Sequence, residues 1–161
     1  MLKDQLKQEQ IAALKSGDQV KRSVLAMLLT AVKNKELAKR SQLSNTLSAV
    51  EVEAQSQLSD VEVLQVIGTE VKRRRDSIAQ FVAASRTDLA EQEQAELNIL
   101  QAYLPAQLDE TAVRAVVAEV IKELGATEAS ALGAVMKAVL AKLQGQADGA
   151  LISKLAKELL A

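Results

Sequence analysis

Residues 61–83 read VEVLQVIGTEVKRRRDSIAQFVA, and this stretch decides the fold. Val63, Leu64, Ile67, Val71, Ile78, Phe81 and Val82 recur at steps of three, four and seven, the spacing of one buried stripe on an α-helix. Four consecutive cations, Lys72-Arg73-Arg74-Arg75, interrupt it. Carrying the stripe from Val71 to Ile78 passes through Arg74 and Arg75. The pattern therefore sets guanidinium charge at the edge of a core, where it needs a partner.

The rest of the chain has the same helical grammar. Ala, Leu, Glu, Gln and Lys dominate, and the 161 residues contain one Pro, six Gly, one Phe, one Tyr and no Trp. An all-α fold with an Ala/Leu/Val/Ile core is expected, in one domain or two small ones. No continuous apolar run is long enough to span a bilayer, and residues 1–10 are charged rather than signal-like. A soluble, cytoplasmic protein is the expectation.

What is missing narrows the chemistry. There is no Cys and no His. That removes disulfides, thiolate nucleophiles, imidazole acid–base catalysis and the ordinary zinc sites. No phosphate loop or dinucleotide fingerprint is present. No metal and no cofactor is expected, and any catalysis would rest on carboxylates, Lys, Arg, Ser, Thr and one Tyr.

Caps and breakers divide the chain. A first helix is predicted over 2–15, with Leu2, Leu6, Ala13 and Leu14 inward, stopped by Gly17. Asp18 caps a second helix over about 19–40 on Val24, Leu25, Leu28, Leu29 and Val32. Residues 41–58 are Ser- and Gln-rich without a basic residue and read as a mobile insertion with a helical turn near 47–52. Ser59 and Glu62 form a capping box that opens the helix carrying the basic run. Thr87 or Asp88 caps a fourth helix, 89–103, ended by Pro105. Asp109 caps a fifth that stops at Gly125, with a Leu108–Val113 staple. Thr127 or Ser130 opens a sixth that ends at Gly145, and Asp148 caps a seventh. Four helices in residues 1–105 and a three-helix bundle in 106–161 are expected, with the boundary at 105–107.

Charge is nearly balanced in both halves: 14 basic and 14 acidic groups in residues 1–105, then 6 and 7. Neither half has the basic excess of a strong polyanion binder, so RNA contact would need a local patch. Three constellations offer chemistry. Glu36, Arg74, Arg75, Glu93 and Glu96 lie on apolar stripes and read as an internal ion-pair network, as an arginine pocket for a phosphate or carboxylate, or as paired carboxylates. Gly145-Gln146-Ala147-Asp148-Gly149 reads as a tight turn or as an anion contact at a helix start. Lys33, Lys35, Lys39 and Arg40, beside Lys72 and Arg73, form a solvated face or a shallow RNA patch.

Met27-Leu28-Leu29-Thr30-Ala31-Val32-Lys33-Asn34-Lys35-Glu36, Glu70-Val71-Lys72-Arg73-Arg74-Arg75-Asp76-Ser77-Ile78 and Glu96-Leu97-Asn98-Ile99-Leu100-Gln101-Ala102-Tyr103-Leu104-Pro105 resemble the YqeY family. Leu132-Gly133-Ala134-Val135-Met136 and 145–151 resemble the tail domain of the B subunit of tRNA-dependent amidotransferases. The resemblance spans essentially the whole chain. It implies an elongated N-terminal helical domain, a three-helix tail of the kind that touches tRNA in the amidotransferase, and an inherited carbon–nitrogen ligase label with glutamine as nitrogen donor. Residues 43–56 are longer than the family's usual link, and Gln146 stands where Lys or Arg is common.

The residues themselves do not supply an amidotransferase centre, since ammonia release from glutamine calls for an activated nucleophile. The expectation is an accessory module without its own active site, binding tRNA or a protein that handles aminoacyl-tRNA. Lys33, Lys72, Arg73, Gly145, Asp148 and Gly149 are the candidate contacts. Ligase activity within a larger complex and a protein-interaction adaptor are the alternatives.

Overall fold

The structure, a computed structural model, describes residues 1–160, and at residue 129 the backbone alone. The fold is all-α, with eight α-helices among the described residues. The chain divides into two compact units, Met1–Tyr103 and Leu104–Ala161.

The first unit holds α1 (Leu2–Ser16), α2 (Gln19–Leu43), α3 (Ala49–Ser56), α4 (Asp60–Ala83) and α5 (Thr87–Gln101). Gly17 closes α1 in the left-handed conformation at φ 77°, where a side chain would be strained. Asp18 caps α2 by accepting from the Lys21 amide at 2.9 Å. Leu6, Leu25, Leu28, Val63, Ile67 and Leu100 are fully buried at the centre of the unit. Each such Leu or Ile contributes about 2 kcal/mol. Leu14 and Val82, expected inward, are exposed: each lies in the last turn of its helix, and periodicity alone cannot see where the packed face ends.

The stretch 41–58 is better ordered than its composition suggests. Arg40 does not end α2, which continues to Leu43. An eight-residue helix follows, opened by a capping box in which Ser48 and Glu51 satisfy each other's amides. Val52, Ser56 and Leu58 are buried, so α3 is part of the core rather than a mobile loop. The predicted Ser59–Glu62 capping box is present on α4, with the Ser59 amide donating to Glu62 at 2.8 Å. At α5 the expected caps are one and two residues late. Arg86 holds the cap position without a side-chain cap bond. Its guanidinium instead forks onto Asp88 at 3.0 and 2.8 Å, which sets acidic charge in the first turn where the helix dipole favours it.

α1 is locked to the end of α5 by a polar cluster. Tyr103 donates its hydroxyl to Glu9 at 2.5 Å, Lys21 lies 2.8 Å from the same carboxylate and Gln5 donates at 3.0 Å. The hydrogen bonds from Lys21, then Tyr103, then Gln5 hold the Glu9 carboxyl down to about 2, against an ordinary 4.5. Burial, and then the Glu9 bond, push Tyr103 above the usual phenol range. A carboxyl depressed in the folded state contributes stability that is present above its unfolded value and lost as pH falls through the folded one. Side-chain carboxyl NMR is expected to show Glu9 titrating near pH 2, and Tyr103→Phe to move that midpoint upward. An unshifted midpoint in the variant contradicts the cluster.

The second unit holds α6 (Glu110–Leu124), α7 (Leu132–Leu143) and α8 (Gly149–Leu160), with a single 3-10 turn, Ala129–Ala131, before α7. Asp109 caps α6 at 2.7 Å and Gly125 closes it at φ 59°. Val113, Val117, Val135, Val139, Ile152 and Leu155 form a buried core against which Leu108 packs, as the predicted staple requires. Neither Thr127 nor Ser130 caps α7. The 3-10 turn leads in, and Ala131 holds the cap position without a side-chain bond.

Candidate functional site

Helical phase splits the basic quartet of α4 into three environments. Arg74 turns inward: Nη1 lies 2.9 Å from Glu93 and 2.5 Å from Glu96, and only 12% of its side chain is exposed. Glu93 and Glu96 stand three apart on α5, so one guanidinium bridges a turn of the neighbouring helix. The clamp is imperfect, because Arg74 Nε is buried without a hydrogen-bond partner. Arg73 pairs with Glu70 at 2.7 Å on the outer surface. Lys72 and Arg75 are exposed and make no ion pair among the described residues.

Two members expected in one network are therefore elsewhere. Arg75 is a surface residue, because one helical step of 100° carries it off the stripe that Arg74 occupies. Glu36 is buried on α2 but belongs to a different hub. It accepts from Lys3 Nζ at 2.6 Å and from the Leu58 amide at 3.2 Å, and Lys3 also donates to Gln57 at 2.6 Å. Burial raises the Glu36 carboxyl, but the bonds from Lys3 and the Leu58 amide, with the charges of Lys3 and Lys33, outweigh it and hold the group low. This hub ties α1, α2 and the start of α4 together. Lys3 and Leu58 were not legible as its members, since both lie far from Glu36 in sequence.

The tail loop is occupied by the chain itself. Gln144 and Gly145 leave α7 at φ 45° and 88°. Gln107 donates to the Gly145 carbonyl and the Leu108 amide to the Gln146 carbonyl, both at 2.8 Å. Asp148 accepts from the Ala150 amide at 2.7 Å, so a carboxylate of the chain already sits at the start of α8, where an anion would bind. Gly149 is exposed at that start.

A groove of about 500 Å³ runs between α2 and α4. Its floor is Ala31, Ala38 and Val66, and its walls are Asn34, Lys35, Glu62, Gln65, Thr69, Glu70 and Arg73. Of the candidate contacts, Arg73 alone lines it. Lys33 and Lys72 are exposed on their helices but are not among its walls. Two ion pairs brace the walls, Arg73–Glu70 and Lys39–Glu62, the latter at 2.8 Å. Lys39 also reaches the Gln57 carbonyl at 3.4 Å. Asn34, Gln65 and Thr69 carried no periodic signal. They became a wall only when α2 packed on α4.

Among the described residues no group of His, Cys, Asp or Glu is placed to hold a metal ion. No helix among them is long and apolar enough to cross a membrane.

The chain is 32% identical over 104 residues to "Altered inheritance of mitochondria protein 41, mitochondrial" of Saccharomyces cerevisiae, covering 65% of this chain and 46% of that protein. The protein of the same name in Candida glabrata is 26% identical over 99 residues, 62% of this chain and 47% of that one. An uncharacterised protein of Schizosaccharomyces pombe, C22F3.15, is 35% identical over 81 residues, 48% of this chain and 66% of that one. The matched part of this chain thus spans about half the length of the mitochondrial relatives. The family described as "Yqey-like protein" matches residues 3–160, so the chain belongs to the YqeY family.

Proposed function

We propose that this protein is an RNA-contacting accessory module without an active site of its own, meeting tRNA or a protein that handles aminoacyl-tRNA in the cytoplasm. The observation that carries the proposal is the sorting of the α4 cations. Arg74 is consumed by Glu93 and Glu96 and Arg73 is balanced by Glu70. Lys72 and Arg75, three apart on one flank, are left exposed without carboxylate partners among the described residues. Two free cations one turn apart match successive phosphates better than they match a stabilising role. Lys33 extends the exposed positive charge on α2. The loop at 145–149 contributes less than its motif suggests, because its carbonyls and Asp148 are bonded within the chain.

Retention of labelled tRNA by the purified chain tests the proposal. Binding at low salt that weakens steeply as salt rises supports it. No retention at low salt, or glutamine-dependent amide formation by the chain alone, overturns it.

A further inference from the structure

The groove between α2 and α4 is not used by the tRNA reading, and its construction is that of a helix-docking site. Ala31 and Ala38 stand seven apart on α2 with Val66 opposite on α4, so the apolar floor runs for two helical turns. Small side chains on the floor let another backbone approach closely. An apolar floor of this length has no role toward phosphates, which make polar contacts, but it suits the buried face of an amphipathic helix.

The charges choose the helix. The two carboxylates in the walls are engaged within the protein: Glu70 by Arg73, and Glu62 by Lys39 and by the amide and hydroxyl of Ser59 at 2.8 and 2.9 Å. Of the two, only Glu70 is withdrawn; Glu62 is as exposed as its partner Lys39, 34% against 32%. Glu70 is 22% exposed against 71% for its partner Arg73. Lys35 is exposed on the opposite wall and makes no ion pair among the described residues. An incoming helix therefore meets Lys35 and Arg73 at the two rims, while Glu70 is withdrawn and Glu62 is held by Lys39 and Ser59. Asn34 and Gln65 stand between the rims as amide donors and acceptors. We propose that this groove docks an acidic amphipathic helix of a partner protein, its small apolar face on Ala31, Ala38 and Val66 and its flanking carboxylates on Lys35 and Arg73.

The inference is independent of the tRNA reading, which rests on the other flank of α4. The probe is a synthetic amphipathic helix of about five turns, with Leu and Ala on one face and Glu beside them. Its counterpart carries Lys in place of each Glu. Anisotropy titrations are expected to show saturable binding of the acidic peptide alone, with NMR amide shifts confined to Ala31, Asn34, Lys35, Val66 and Thr69. Lys35→Glu and Ala38→Arg each weaken it by about tenfold or more through like-charge repulsion and a blocked floor, with circular dichroism unchanged. Lys72→Gln leaves the peptide affinity untouched. Equal affinity for the two peptides, binding unchanged in both groove variants, or shifts elsewhere overturns the proposal. So does tRNA retention abolished by Lys35→Glu, which assigns the groove to RNA. Concentration-dependent self-association abolished by Ala38→Arg assigns it instead to a second copy and likewise overturns it.

Discussion

Arg74→Met is expected to lower the stability of the first unit by about 3 kcal/mol, whereas Arg75→Met costs under about 0.5 kcal/mol. The residues are adjacent and chemically identical, so the difference is entirely environmental. Removing the Arg74 guanidinium leaves Glu93 and Glu96, three apart on α5 and both withdrawn from solvent, facing each other without a counter-ion. Like charges at that spacing repel. At position 75 only an exposed side chain is removed. Urea unfolding checks the pair of variants: the midpoint falls for position 74 with an unchanged slope and barely moves for position 75. Equal shifts contradict the assignment.

The clamp is expected to add little net stability over an apolar replacement. Arg74 Nε is buried without a partner, which costs about 1–3 kcal/mol relative to a satisfied donor. Replacing all three charges by apolar groups of similar size, Arg74→Met with Glu93→Leu and Glu96→Leu, is therefore expected to recover most of the loss seen for Arg74→Met alone.

Glu36→Ala is the second large effect, again about 3 kcal/mol. It strands the Lys3 ammonium, whose side chain is 12% exposed, and leaves the Leu58 amide without its acceptor. The pH dependence has a definite sign. Glu36 is held below its ordinary 4.5 in the folded state, so its contribution is complete above that value and fades as pH falls through the folded one. The gap between wild type and Glu36→Ala, measured by urea unfolding, is expected to shrink as pH drops below 4.5. A gap that widens in acid rules out this role for the hub.

Arg74 and Glu36 also mark how far sequence carried and where it stopped. The caps at Asp18, Ser59 and Asp109 and the stops at Gly17 and Gly125 were legible, because each is a local contest between side chain and backbone settled within four residues. The valine and leucine stripes were legible for the same reason. That Arg74 would meet two carboxylates of α5 was legible too, since both helices carried charge on their apolar faces. Placing Arg75 beside it failed because a stripe has an edge that only the neighbouring helix defines. Glu36 was found as a buried carboxylate but given the wrong cation. Lys3 reaches it from α1 across 33 residues, and no periodicity encodes that.

Residues 41–58 misled by composition. Ser and Gln there serve caps and turns rather than disorder, and the sparse apolar pattern marked a helical turn near 47–52 but not a helix running to Ser56. The groove was invisible for a related reason. Ala31, Ala38, Asn34 and Thr69 are unremarkable until two helices set them face to face.

Lys72 and Arg75 on the outer flank of α4 have no carboxylate partner among the described residues and are left to meet phosphate, whereas Arg73 and Arg74 are already held in ion pairs. The salt dependence of tRNA affinity, compared between wild type, Lys72→Gln with Arg75→Gln, and Lys35→Gln, tests this most directly. The expected result is that the flank pair flattens the log–log salt slope by about two, one for each phosphate no longer neutralised, and that the groove variant leaves the slope unchanged. An unaltered slope in the flank variant, or the same flattening in both, would contradict it.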